Sequence, residues 1–106
     1  MILCNTETLP GKRIIKNCGL VQGSTVRAKH LGRDIMAGLK NIVGGELAGY
    51  TELLEDARKE AMNRMIDDAR TMGADAIINV RFSTTSVTQG AAELFAYGSA
   101  VQIEDE

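Results

Sequence analysis

At 106 residues the chain has room for one domain around one core, so residues 1–106 are read as a single unit. A hydrophobic share of 44% and a charged share of 25% are those of an ordinary folded protein, and a net charge of −2 with basic residues scattered among acids argues against nucleic-acid binding, which draws on clustered lysine and arginine. There is no apolar run near ~20 residues, no basic-plus-apolar leader at Met1-Ile2-Leu3 and only two cysteines, so no membrane span, signal peptide or disulfide framework is expected, and the cytoplasm is the default location.

Pro10-Gly11 supplies a turn. From Lys12 to Arg27, the residues Ile14, Ile15, Leu20, Val21 and Val26 favour extended backbone and predict a long strand. Gly19 and Gly23 interrupt it, which implies a bulge or the close approach of another backbone. Leu31, Ile35, Leu39 and Ile42 then recur at helical spacing, predicting a short amphipathic helix over Leu31–Val43 that Gly44-Gly45 stops. The strongest pattern spans Tyr50 to Met72, where Leu53, Leu54, Ala57, Ala61, Met65 and Ala69 repeat with the helical period. Glu52, Glu55 and Asp56 are placed in its first turns, favoured by the positive end of the helix dipole. Arg70 falls in the last turn and Gly73 is read as a left-handed cap. Met62 and Ile66 widen the apolar stripe, a first hint of a partner on a second side.

A strand follows over Ala76–Thr85, with Ala76, Ile78, Val80 and Phe82 expected on a core face. Thr88-Gln89-Gly90 reads as a turn into a final strand, Ala91 to Ile103. Leu94, Ala96, Gly98 and Ala100 line one of its faces, small enough to let a helix lie close. Phe95, Tyr97, Val101 and Ile103 line the other, which one helix cannot also cover, so a second subunit is expected to cover it. Glu104-Asp105-Glu106 is read as a solvated acidic end. The order lacks a repeated β-α-β series. The expected class is therefore α+β: a three-stranded antiparallel sheet with one long helix packed on it, plus the short helix.

Certain runs carry a family resemblance. Gly44-Gly45-Glu46, Tyr50-Thr51, Leu53-Leu54, Ala57-Arg58, Ala61 and Arg64 form one series, followed by Gly73-Ala74-Asp75-Ala76 and Arg81. Upstream stand Gly19-Leu20-Val21-Gln22-Gly23 and Arg33-Asp34-Ile35. The chain resembles the YbjQ-like family of small bacterial and archaeal proteins over nearly its whole length. The resemblance implies a dodecin-like subunit in a homopentameric ring, with short extra strands joining neighbours. It brings no established activity, although members are sometimes described as heavy-metal-binding.

Candidate metal ligands are Cys18, Cys4 and His30. Zinc and copper sites ordinarily show paired ligands such as Cys-x-x-Cys, and this chain has none. One ligand per subunit repeated about a ring axis remains open, beside the reading of Cys18 as a small buried hydrophobe. Family members often carry threonine at the position of Cys4, which weighs against that thiol as a ligand. A second candidate is the polar set Arg33, Asp34, Glu46, Tyr50, Thr51, Arg58 and Asp75. Arg58 is suited to a two-pronged pair with Glu46 or Asp34. Gly44-Gly45 ahead of a helix N-terminus offers backbone amides to a small anion or carboxylate at a subunit junction, with Gly45, Glu46, Tyr50 and Arg58 as its ligand-binding residues. The competing reading is an ion-pair network that fixes the loop and interface. The methionines, Met36, Met62, Met65 and Met72, fit packing better than metal binding. No nucleophile is spaced with an activating base, so neither catalysis nor a cofactor is expected. The partner expected is the chain itself, with a metal or small molecule as the ligand to look for.

Overall fold

The computed structural model of the chain describes residues 1–27, 48–88 and 91–106. Its elements in order are β1 (Ile2–Leu3), β2 (Lys12–Arg27), α1 (Ala48–Thr71), β3 (Ala76–Thr88) and β4 (Ala91–Asp105). The short helix expected over Leu31–Val43, with its Gly44-Gly45 stop, lies outside the described residues, as do Gln89 and Gly90 of the expected turn.

β2 has the bounds read from the sequence. Its register against β4 shifts between Ile14 and Lys16 and again between Asn17 and Gly19. Gly19 takes the second shift with φ 121°, a conformation open to glycine and strained for other residues. Gly23 answers to the other expectation, close approach. A Cβ built on it would lie 2.1 Å from the Ala61 carbonyl oxygen and 2.5 Å from the Met65 backbone nitrogen. Strand and helix backbones therefore touch at this point with no side chain between them.

The helix is built for that contact. Ala57, Ala61, Met65 and Ala69 lie one turn apart and are wholly buried. Ala61, Met65 and Ala69 join Val21 of β2, Ile77 and Val80 of β3, and Ala96 and Ala100 of β4 in one buried cluster. α1 covers β2 and β4 and barely reaches β3. It begins at Ala48, two residues ahead of the periodic pattern, so Glu52, Glu55 and Asp56 miss the first turn, which has no acid. The C-terminal end is as expected. Gly73 adopts φ 75°, and its N–H donates to the Arg70 carbonyl at 3.0 Å while the Ala74 N–H reaches Ala69 at 3.2 Å.

The sheet has four strands in the order β1-β3-β4-β2, and it is mixed. β1 pairs in parallel with the start of β3, Ile2 with Ala76 and Leu3 with Ile77. This corrects the three-stranded antiparallel expectation; a two-residue strand is too short to show an alternating pattern. β3 departs from simple alternation as well. Asn79 has φ 54°, and the register against β4 slips between Ile78 and Arg81. Asparagine tolerates the left-handed region better than most residues. The slip reverses the faces: Ala76 and Ile78 join Val101 in a cluster away from the helix, whereas Val80 sits in the helix-side core. Phe82 shares the helix side but lies beyond the reach of α1, and it is exposed rather than in the core.

The acidic end is also not simply solvated. β4 continues to Asp105, where Glu104 and Asp105 stand opposite Arg13 and Lys12 and form an ion pair with each. The Glu106 N–H donates to the Gly11 carbonyl at 3.2 Å.

Sixteen residues of β2 at about 3.3 Å each span about 50 Å, whereas the 24 residues of α1 at 1.5 Å span about 36 Å. The strands outrun the helix, and the chain is drawn out to 55 × 25 × 16 Å.

Gly23→Ala is expected to lower stability by about 1–3 kcal/mol through overpacking against the helix backbone. Ser24→Ala, whose side chain points to the opposite face, should change it by less than about 0.5 kcal/mol. Urea denaturation of both variants checks the contrast.

Candidate functional site

The helix-side core leaves the far face of the sheet to be covered by something else. Among the described residues, cover is found at one end. Cys4, Leu9, Ile14 and Ile103 pack over Ala76, Ile78 and Val101, so the segment before β2 folds back across this face. That segment is held by the Val80 N–H donating to the Cys4 carbonyl at 3.0 Å, the Asn79 N–H to Thr6 at 3.1 Å, and Arg81 Nη1 to the Asn5 carbonyl at 2.9 Å. Part of the cover expected from a second subunit thus comes from the chain itself.

Among the described residues, no such cover extends over the rest of that face, where Ser24, Phe95 and Ser99 are half-buried and Leu20, Val26 and Tyr97 are exposed. Register places Leu20, Gln22, Ser24 and Val26 of β2 beside Ser99, Tyr97, Phe95 and Glu93 of β4. Leu20 is 78% exposed and Val26 54%. Phe95 and Tyr97 stack with ring centroids 5.3 Å apart, forming an aromatic ridge between the outer strands. Fully burying a leucine or valine side chain contributes roughly 1.5–3 kcal/mol. Leaving these residues in water forgoes most of that gain.

The residues singled out from the sequence are distributed as follows. Gly45, Glu46 and His30 lie outside the described residues, as do Arg33 and Asp34. Tyr50 and Thr51 are in the first turn of α1. Arg58 is exposed in the N-terminal half of the helix. Asp75 follows the helix C-terminus, where its Oδ2 accepts from the Ile103 N–H at 3.0 Å. About 20 Å of helix separates Arg58 from that end, so these two members of the polar set are not brought together.

Both cysteines are free and half-buried, on opposite faces of the sheet. Cys18 packs against the helix-side core and Cys4 against the far cluster. The Cys4 thiol donates to the Thr6 carbonyl at 3.6 Å, and the Thr6 hydroxyl oxygen lies 3.3 Å from the sulfur. Among the described residues, no group of three or more His, Cys, Asp or Glu side chains is placed to hold a metal ion. None of the described helices is long and apolar enough to cross a membrane.

Sequence reading missed the charge ladder where β2 and β4 meet. Lys12 donates a hydrogen bond to the Asp105 carboxylate and adds its charge, which together hold that carboxyl below the ordinary aspartate range. Lys12-Arg13 and Glu104-Asp105 were each visible as charge clusters. Only the β2–β4 register makes them neighbours.

Comparison with known proteins places the chain among uncharacterised relatives. A family model described as "Putative heavy-metal-binding" matches residues 1–104. A UPF0145 protein of Hahella chejuensis is 72% identical over 104 residues, covering 98% of this chain and 100% of that one. A UPF0145 protein of Methanosarcina acetivorans is 57% identical over 103 residues, covering 97% of each chain. Another, of Archaeoglobus fulgidus, is 58% identical over 103 residues, covering 97% of this chain and 95% of that one. The crystal structure of a protein with unknown function from Pediococcus pentosaceus superposes with a TM-score of 0.67 at 15% identity, covering 98% of both chains. At that identity the likeness speaks for the α+β fold alone.

The Lys12–Asp105 pair gives a pH dependence of known sign. The folded pKa is depressed, so the stabilisation is present at neutral pH and is lost as pH falls below the ordinary aspartate value of about 3.9 and through the lower folded one. In a carbon-detected NMR titration, the Asp105 midpoint should lie below that of free aspartate and rise toward it in Lys12→Met. Equal midpoints in the two proteins would show that the pair does not form in solution.

Proposed function

The chain belongs to the YbjQ-like family, and from that premise we propose that it is a non-catalytic subunit of a homo-oligomeric ring, serving as a binding or scaffold protein. One observation carries the reading: the far face of the sheet is covered at one end by the chain's own first residues and bare along Leu20, Val26 and Tyr97. A second copy offers a surface with the same chemistry, and closed rings bury such faces repeatedly. The pentameric count and the dodecin-like character of the subunit come from the family resemblance. The short strands that the resemblance assigns to joining neighbours have a place to add. Among the described residues, nothing pairs with the outer edge of β3 beyond Val80.

The ligand position favoured is the subunit junction near Gly45, Glu46, Tyr50 and Arg58, with a small anion or carboxylate as the ligand. The exposed guanidinium of Arg58 supports it.

The family description favours a second reading, heavy-metal binding through Cys18, Cys4 or His30. With the cysteines on opposite faces, such a site would take one ligand from each subunit around the ring axis. Elemental analysis of untagged protein should then give about one metal per ring, lost in Cys4→Ser or Cys18→Ser. Less than that, unchanged in both variants, would remove this reading.

For the ring itself, Leu20→Glu combined with Tyr97→Glu should lower the subunit count in sedimentation while the circular dichroism spectrum stays that of a folded α+β protein. An unchanged count would show that this face is not an interface. At the junction, Arg58→Ala should weaken assembly or folding more than Arg70→Ala. Equal effects of the two in sizing and denaturation would count against it.

A further inference from the structure

The two edges of the sheet are treated differently. In an antiparallel sheet, alternate residues of an edge strand turn both N–H and C=O away from their neighbour. Such a row is a template for another chain's strand unless something blocks it. β2 is the edge strand beside β4, and its register is regular from Gly19 to Arg27. Gln22 and Ser24 are successive outward positions in that stretch. The Gln22 N–H donates to Asp68 Oδ2 at 3.4 Å. The Ser24 carbonyl accepts from Arg64 Nη1 at 2.5 Å. Both partners come from α1.

The geometry has a simple origin. Arg64 and Asp68 are four residues apart on the helix, a rise of about 6 Å. Gln22 and Ser24 are two residues apart on the strand, a rise of about 6.6 Å. The periods nearly match, and α1 runs antiparallel to β2 here. Consecutive turns therefore bring one charged side chain to each successive outward position. Gly23, between the two, admits the helix backbone close enough for both to reach. Arg64 is steadied by Glu60, whose Oε1 accepts from Arg64 Nη2 at 2.6 Å.

We propose that Arg64 and Asp68 are edge guards that close β2 to strand addition. An incoming strand would have to take the Gln22 and Ser24 backbone groups from a carboxylate and a guanidinium, and bonds to ionised groups are the stronger kind. The outer edge of β3 has the opposite character. From Phe82 to Thr88 it carries no proline and no charged residue. Strand pairing between chains is thereby opposed at Gln22 and Ser24 of β2, whereas among the described residues no such guard stands on the outer edge of β3 beyond Val80. This inference stands on the β2 edge itself and holds whatever the subunit count.

Arg64→Ala/Asp68→Ala tests it against Asp67→Ala/Arg70→Ala, which removes the same two charges from an exposed helix pair 3.6 Å apart. The guard variant should form thioflavin-T-positive species at least about tenfold faster than the control, as an unprotected edge would. Adding Gln22→Pro, which deletes the outward N–H, should return the rate to that of the control. Growth no faster than the control, or growth that Gln22→Pro leaves fast, would overturn the proposal. Hydrogen exchange on the single variant Asp68→Ala gives a readout that does not depend on the double variant folding. The Gln22 amide should exchange about tenfold faster while Val21 and Gly23 keep their protection. An equal change at all three amides would assign Asp68 a global role and sink the guard.

Discussion

The missing side chain at Gly23 sets how near the helix can come to the sheet, and the rest of the structure depends on that distance. Ala61 and Ala69 of α1 and Ala96 and Ala100 of β4 keep the two layers near each other, with Met65, Val21 and Ile77 filling the space between. This seats α1 over β2 and β4. From that seat Arg64 and Asp68 reach the β2 edge. The same seat leaves Phe82 of β3 outside the helix's cover and gives the far face of the sheet no share of the helix at all.

Much of the fold was legible in the sequence because periodicity and glycine chemistry are local signals. The bounds of β2 follow from Pro10-Gly11 and the apolar run behind it. Gly19 and Gly23 were both readable as special positions, and they have different reasons: φ 121° at the first, the Ala61 and Met65 backbones at the second. The two faces of β4 alternate as expected, with Ala96 and Ala100 in the helix-side core and Val101 in the far cluster. What escaped was non-local or aperiodic. Nothing in Ile2-Leu3 announces a strand of two residues, and a left-handed asparagine leaves no mark on a pattern of apolar residues. The Lys12–Asp105 and Arg13–Glu104 pairs join residues at opposite ends of the chain, and the β2–β4 register is needed to connect them.

The candidate site was legible to a smaller degree. Reading the far face as apolar and in want of cover was sound, but the segment carrying Cys4 and Leu9 supplies part of that cover from within the chain. Spacing set Cys4 and Cys18 well apart in sequence but could not say which face of the sheet each packs against. Only the sheet, with a different face for each, divides them. Arg58 and Asp75 were grouped by residue type, yet the length of α1 keeps them apart.

The proposed ring would cover Leu20, Val26 and Tyr97, which are exposed on the far face of the sheet. Native mass spectrometry of the untagged protein, at micromolar concentration, weighs this most directly. Assemblies of five 11.4 kDa chains are expected under the proposed ring, whose count comes from the family resemblance. A spectrum of single chains at that concentration would contradict it.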